Sequence, residues 1–508
     1  MKKFSIPLFS VFIALFVYIP SGACSDLKLS GIRQPVVAGQ FYPSDPSKLE
    51  QAIRQFIRES VAIPMEDPVA VVVPHAGYIY SGQICADAYR QVMNRNYEVF
   101  VILGVNHTTA GFHGVSLADY ESFRTPLGDI QIDETVTAEL LAQCSDCVRS
   151  REVHLREHSI EVQVPFIQVL FPDAKIVPVI IHPPDPDLCI RFGKTLADVL
   201  KNKKALIIIS TDLSHYPDSA DAFQADRETL QAIADWNPDK FVSVMRNLNA
   251  PNLNTRACGE AAILSGITAA GALGAKHVVI AGYSNSGDVA LGDRTRVVGY
   301  GALALAPGRA RIDTAALNRP QPPAKATPLE DSEKRILLSF ARKTIHQYLT
   351  TQTVPLARNF PARLSFRQGV FVTLRNKGLL RGCIGNILPR DELGRTVGTL
   401  ALQAALNDPR FRPVEAKELD DLEIEISLLT PLKLISNPDQ VVVGRDGVLL
   451  IKEGKSAVFL PQVAPENNWN RTEMLDNLCV KAELPAGCWR QDAKLEIFQA
   501  EVFSEKNQ

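Results

Sequence analysis

Through residues 36–306, short unbroken apolar runs alternate with amphipathic stretches. Residues 70–73, 99–103, 176–181, 206–210 and 278–281 are rich in β-branched side chains, with Pro178 the one interruption among them. That is the pattern of strands buried on both faces. Residues 47–60 place Leu49, Ile53 and Ile57 four apart, which predicts a helix with one apolar face. Residues 261–271 predict a second helix, built of small residues. The alternation predicts an α/β layer with a mainly parallel sheet flanked by helices. The rhythm changes after Ser332. A helix is expected over 333–348, then strands at 369–374, 422–427 and 447–451. Residues 422–427 alternate apolar and polar, as a half-exposed strand does. This half reads as a separate α+β domain, and no internal repeat links it to the first.

Between the halves, residues 308–331 are rich in proline and alanine and poor in large apolar side chains, so an extended linker is expected. It would join domains at 34–307 and 332–505. The chain has 508 residues, too many for one ordinary domain, and 46% hydrophobic residues suffice for real cores. A net charge of −2 with no clustered Lys and Arg excludes a nucleic-acid partner.

The N-terminus reads as a targeting segment. Lys2-Lys3 precedes residues 4–19, which are apolar apart from Ser5, Pro7 and Ser10, and Ser21-Gly22-Ala23 suits signal cleavage. A signal peptide or lipoprotein signal over 1–24 is therefore expected, with the protein in the periplasm or cell envelope. Cys24 is where a lipid would be attached, and that anchor would be the protein's one membrane contact. No other stretch is long enough to span a bilayer. Nine cysteines are too sparse for a disulfide scaffold. Cys144-Ser145-Asp146-Cys147 lacks a second pair, so it reads as a disulfide or as two surface thiols, not as a zinc motif.

Candidate chemistry sits at the ends of three apolar runs. Residues 70–73 lead into Pro74-His75-Ala76-Gly77, 99–103 into Asn106-His107, and 206–210 into Thr211-Asp212-Leu213-Ser214-His215. In an open α/β sheet the carboxyl ends of parallel strands share one edge, where ligands bind. His75 and His107 would serve as metal ligands as neutral imidazoles. Cys258, at the start of a predicted helix, is the third candidate, and the helix terminus would lower its thiol pKa. Two imidazoles and a thiolate suit one ion of copper, iron or zinc and leave a coordination position open. His215 would be an acid–base group, with Asp212 orienting it or lining the pocket. Tyr78 is a pocket-lining candidate. Glu157-His158-Ser159-Ile160-Glu161 fits one helix face, with His158 and Glu161 as pocket wall or packing residues. Each residue also has an ordinary reading: a strand-end histidine held by a structural hydrogen bond, and Cys258 as a small core residue. His113, His154, His182, His277 and His346 lack partners in the pattern and read as structural or surface residues.

Together with Val37-Ala38-Gly39-Gln40-Phe41-Tyr42-Pro43 and Ala257-Cys258-Gly259, these motifs make residues 34–307 resemble the Memo family. That family's fold is similar to the LigB-like class III extradiol dioxygenases. The resemblance implies His75, His107 and Cys258 as metal ligands, in place of the two-His-one-carboxylate set of the dioxygenases. It implies Asp212 and His215 in the same vestibule, with His215 matching the dioxygenase base. Memo proteins are linked with copper or iron binding and redox chemistry.

In the second half, Leu380-Arg381-Gly382-Cys383-Ile384-Gly385 offers Arg381 and Cys383 as an activated-thiol site; a tight strand turn around a buried cysteine is the other reading. Residues 407–411 read as a turn closing a helix, and 459–466 as an ordered proline-rich loop. With Glu501-Val502-Phe503-Ser504-Glu505, these motifs make residues 332–505 resemble the AMMECR domain. The two families, with a radical-SAM protein, form the AmmeMemoRadiSam gene set, which implies a radical-SAM partner. The expected function is exported, metal-dependent redox or oxygen chemistry on a small or peptidyl substrate. The alternatives are copper or iron handling without turnover and a non-catalytic interaction scaffold.

Overall fold

The computed structural model describes residues 31–317, 329–358, 360–388 and 391–507. The expected targeting segment at 1–24, with Cys24, lies outside the described residues, as do residues 318–328 of the expected linker.

A nine-stranded sheet organises the first half. Its centre is four parallel strands in the order Ala70–Val73, Ala205–Ser210, Val99–Val105, Lys175–His182. Gly299–Ala306 and His277–Asn285 extend the sheet antiparallel on one side. Gly114–Ala118 joins antiparallel on the other, with Cys147–Ser150 beyond it. The pleat explains why the central runs are apolar throughout. Ile207 and Ile209 enter one core with Phe192, Leu196 and Ile263, while Leu206 and Ile208 enter the other with Leu49, Phe56 and Ile84. Pro46–Glu59 and Tyr78–Arg90 therefore cover one face, and Pro186–Leu200 and Glu260–Ala272 the other. Asp45 begins the first of these helices by accepting the Lys48 N–H. At the start of the expected linker, Arg311–Asp313 adds a parallel strand beside His277–Asn285, and Leu317 is buried.

The second half holds two four-stranded sheets whose pairings are all antiparallel. In one, the order is Leu379–Asn386, Val370–Asn376, Leu422–Leu429, Ala500–Ser504, and helices Asp331–Thr351 and Leu393–Leu406 share its core. In the other, Gly447–Lys452 pairs with Lys455–Phe459 and Lys494–Phe498, and Arg471–Lys481 packs against it. The proline-rich stretch expected as a loop carries a short helix, Val463–Glu466. Disulfides join Cys144 to Cys147 and Cys479 to Cys488.

The halves are docked. Arg358 reaches Asp87 on helix Tyr78–Arg90 through two hydrogen bonds, 2.5 and 3.0 Å, and also donates to the Glu59 carbonyl at 3.1 Å. Val354, Leu356 and Leu402 join the core that contains Leu49 and Phe56. Lys343 pairs with Glu59 at 2.8 Å, and Arg294 with Asp391 at 2.9 Å.

Candidate metal centre

The three histidine-bearing turns follow adjacent parallel strands, so they meet at one sheet edge. Asp212 stitches two of them together, accepting the backbone N–H groups of His75 at 2.8 Å and Ala76 at 3.2 Å. The rings of His75 and His107 lie 5.3 Å apart, His107 and His158 stack at 4.7 Å, and His75 and His158 are 5.5 Å apart. Among the described residues, His75, His107 and His158 form the set whose ligand atoms all lie within 4.8 Å of one another.

The hydrogen-bond pattern sets the tautomers. Ser210 Oγ donates to the Ser159 carbonyl at 2.6 Å, so its contact with His75 Nδ1 at 3.1 Å requires that nitrogen to donate. His107 Nδ1 donates to Glu157 at 2.9 Å, and His215 Nδ1 to the Leu213 carbonyl at 2.9 Å. In all three rings Nε2 carries the lone pair, and that of His75 faces the Cys258 sulfur at 3.2 Å. A carboxylate or hydroxyl behind an imidazole is the usual support of a metal-binding histidine. His158 is held through its backbone N–H, which donates to Glu157 at 2.9 Å. These groups therefore fit a borderline transition-metal ion, with neutral nitrogen donors oriented from behind.

Electrostatics favour the neutral rings. Burial, then the neighbouring imidazoles, holds His75 well below its ordinary range. Burial lowers His158 to about 4. His107 differs: burial pulls it down, but the hydrogen bond and charge of Glu157 prevail and raise it. Glu157 is itself drawn down to about 2, because its contacts with His107 and His158 and the Ser159 N–H outweigh its burial.

Cys258 also lies at this edge. Its sulfur is 3.2 Å from His75 Nε2 and accepts the Asp212 N–H at 3.3 Å. It is not a member of the compact set of three; His158, expected as wall or packing, takes that place. Burial, then the Asp212 carboxylate, raises the thiol pKa, against the lowering expected from the helix terminus. Gly259 is required here, since a Cβ would collide with Thr211.

His215 follows Asp212 on the same turn and is partly exposed. Tyr78 is buried among Tyr42, Phe56 and Phe166, with its hydroxyl donating to the Val162 carbonyl at 2.7 Å; it packs the core. The helix expected through Glu157 and Glu161 is absent: His158 sits in a loop, and a 3-10 turn begins only at Glu161. Glu161 consequently points elsewhere, pairing with Arg33 and accepting the Tyr42 hydroxyl at 2.6 Å and the Val36 and Val37 N–H groups. Glu157 is the residue that sequence reasoning left without a role. Its signal was proximity to His158, but its partner His107 is remote in the chain.

In the second half, Arg381 does not activate Cys383. It pairs with Glu418 at 2.8 Å and donates to the Arg412 and Pro413 carbonyls. Cys383 lies on an edge strand whose backbone is capped from the 407–411 turn: Asp408 accepts the Cys383 N–H at 2.8 Å, and Arg410 donates to its carbonyl at 3.2 Å. Burial raises the Cys383 thiol, with the Thr373 hydroxyl and Arg410 opposing. Gly382 is needed because a Cβ there would strike the Ala404 carbonyl of the covering helix.

A mainly parallel α/β sheet with an imidazole cluster at its carboxyl edge defines the class. Residues 33–304 match the family model described as Memo-like protein, and residues 338–503 match AMMECR1. A MEMO1 family protein of Nitrosopumilus maritimus is 33% identical over 278 residues, 54% of this chain and 98% of that protein. One from Methanosarcina acetivorans is 37% identical over 276 residues, again 54% and 98%. A crystal structure of uncharacterized protein PH0010 from Pyrococcus horikoshii is 38% identical, covering 35% of this chain and 94% of that one, with a TM-score of 0.34. The chain belongs to the Memo family and carries an AMMECR1 domain behind its Memo domain.

Proposed function

We propose that this protein binds one iron or copper ion, with zinc the third candidate, and carries out redox or oxygen chemistry on a small or peptidyl substrate. The observation that carries the reading is the set of three imidazoles whose ligand atoms lie within 4.8 Å of one another. His75, His107 and His158 would hold the ion, with Cys258 beside His75. The ion would supply electron transfer and Lewis acidity. Glu157 holds His107 and keeps its Nε2 directed away from the carboxylate. His215, with Nδ1 tied to a carbonyl, accepts a proton from substrate at Nε2. The core packed behind the sheet edge excludes water from the rear of the site.

The protein works outside the cytoplasm, with Cys24 as the site of a lipid anchor and a radical-SAM protein as a system partner. The N-terminal sequence supports export, and so do two disulfides, which persist in oxidising compartments.

Elemental analysis of anaerobically purified protein tests the reading, followed by oxygen uptake with a reductant. Near-stoichiometric metal is expected in wild type and at least about tenfold weaker retention in His158→Ala. Metal without uptake would favour a carrier. Unchanged metal in His75→Ala, His158→Ala and Cys258→Ser would leave only a scaffold.

A further inference from the structure

Beside the His215 turn lies a cation that has no ion-pair partner among the described residues. The turn holding Asp212 and His215 is zipped onto the segment that runs through Arg296. Leu213 N–H donates to the Gly299 carbonyl at 2.8 Å, Tyr216 N–H to Val297 at 2.7 Å, and Ser219 N–H to Arg294 at 2.9 Å; Val297 N–H returns to Pro217 at 2.9 Å. This register sets Arg296 opposite Tyr216, with its guanidinium 4.0 Å from the ring centroid. The Tyr216 ring in turn lies 5.6 Å from that of His215.

Two features separate this pair from ordinary surface decoration. Tyr216 has φ of 78°, a left-handed conformation that is costly for a tyrosine and persists here under the bonds just described. Arg296 is exposed and, among the described residues, has neither an ion pair nor a hydrogen bond. Nearby acids are committed. Asp293 accepts from Thr295, Asp218 caps the helix that follows it, and Arg294 is the residue paired with Asp288 and Asp391. A guanidinium seated over an aromatic ring without a hydrogen-bond partner keeps its N–H donors for a ligand, in the fork that fits a carboxylate or phosphate.

We propose that Arg296 is the recognition residue for a carboxylate or phosphate on the molecule that enters the imidazole site; this rests on the reading of that cluster as the working centre. The substrate is thus an acid, its charged end on Arg296 and its body passing His215 toward His75, His107 and His158. Tyr216 is the platform that aims the guanidinium.

Calorimetric titration of the full-length protein with phenyl phosphate, phenylacetate and the uncharged phenylacetamide tests this. Wild type should bind one of the acids at least about tenfold more tightly than the amide, and the better acid identifies the anion. Arg296→Met should lose that preference with an unchanged melting temperature, and Arg296→Lys should restore part of it. Acid binding undiminished in Arg296→Met, or no preference in wild type, overturns the proposal. Metal content measured on the same samples keeps the two readings apart. A metal-free protein that retains an Arg296-dependent preference would sink the metal centre and support the anion seat.

Discussion

Gly299 and Asp226 show how tightly the turn that carries His215 is built. Asp226 is buried behind it, accepting the Ser214 N–H at 2.8 Å, the Ser214 hydroxyl at 3.0 Å and the Tyr283 hydroxyl at 2.9 Å. A Cβ on Gly299 would run into the Asp226 carboxylate. Gly299→Ala should therefore cost about 2–3 kcal/mol, read by urea denaturation, and disturb His215. Burial raises Asp226 from 3.8 to about 7. Between those pH values the folded state keeps a proton that the unfolded chain has released, so stability falls as pH rises through this window and levels off above it. Urea midpoints measured from about pH 5 to about pH 8 should decline in wild type and stay flatter in Asp226→Asn.

Arg33 and Glu161, both about 1% exposed, tie the segment before the first helix to the loop after His158. The backbone N–H groups of Val36 and Val37 end on the same carboxylate, so one side chain anchors the whole strap. Removing a single partner from a buried pair leaves an uncompensated charge and costs about 3–5 kcal/mol. Glu161→Ala should show that loss and should expose residues 32–42 to limited proteolysis. Arg33→Met with Glu161→Leu should recover only part of that loss, because the Tyr42 hydroxyl and the Val36 and Val37 N–H groups still lose their acceptor. The loop carrying Glu157 and His158 is held from both sides, by this strap and by the sheet edge, which is how a segment without regular structure can fix the place of an imidazole.

Across the molecule, the relatives in the Memo family stand at about half this chain's length, whereas here Asp87 finds its partner in the other half. Asp87 is 2% exposed and its carboxyl is raised by burial, with Arg358 opposing. Arg358→Met should therefore destabilise by about 3–5 kcal/mol. Scanning calorimetry should show the single wild-type transition splitting into two, one for each half. Retention of one cooperative transition would mean that the Val354, Leu356 and Leu402 packing suffices to couple them. Because helix Tyr78–Arg90 begins just after the His75 turn, loosened docking should, if the proposed centre holds a metal, also speed its loss.

Local pattern sufficed for the central buried strands and for helices Pro46–Glu59, Glu260–Ala272 and Asp331–Thr351, because a buried strand must be apolar on both faces and an amphipathic helix must repeat every three to four residues, whereas edge strands such as Leu379–Asn386 and helices such as Tyr78–Arg90 carry neither signal cleanly. It also located His75, His107 and His215, since parallel strands necessarily end at a shared edge. Periodicity misled at 157–161, where spacing suggested a helix and backbone geometry sends His158 and Glu161 in different directions. Which side chains meet is a three-dimensional matter. Glu157 finds His107, Arg381 finds Glu418 in place of Cys383, and Arg358 finds Asp87, each across a separation that no local preference encodes. Short-range sterics and burial write the elements into the chain one stretch at a time, whereas charge pairing and ligand geometry exist only once the sheets are stacked and water is gone.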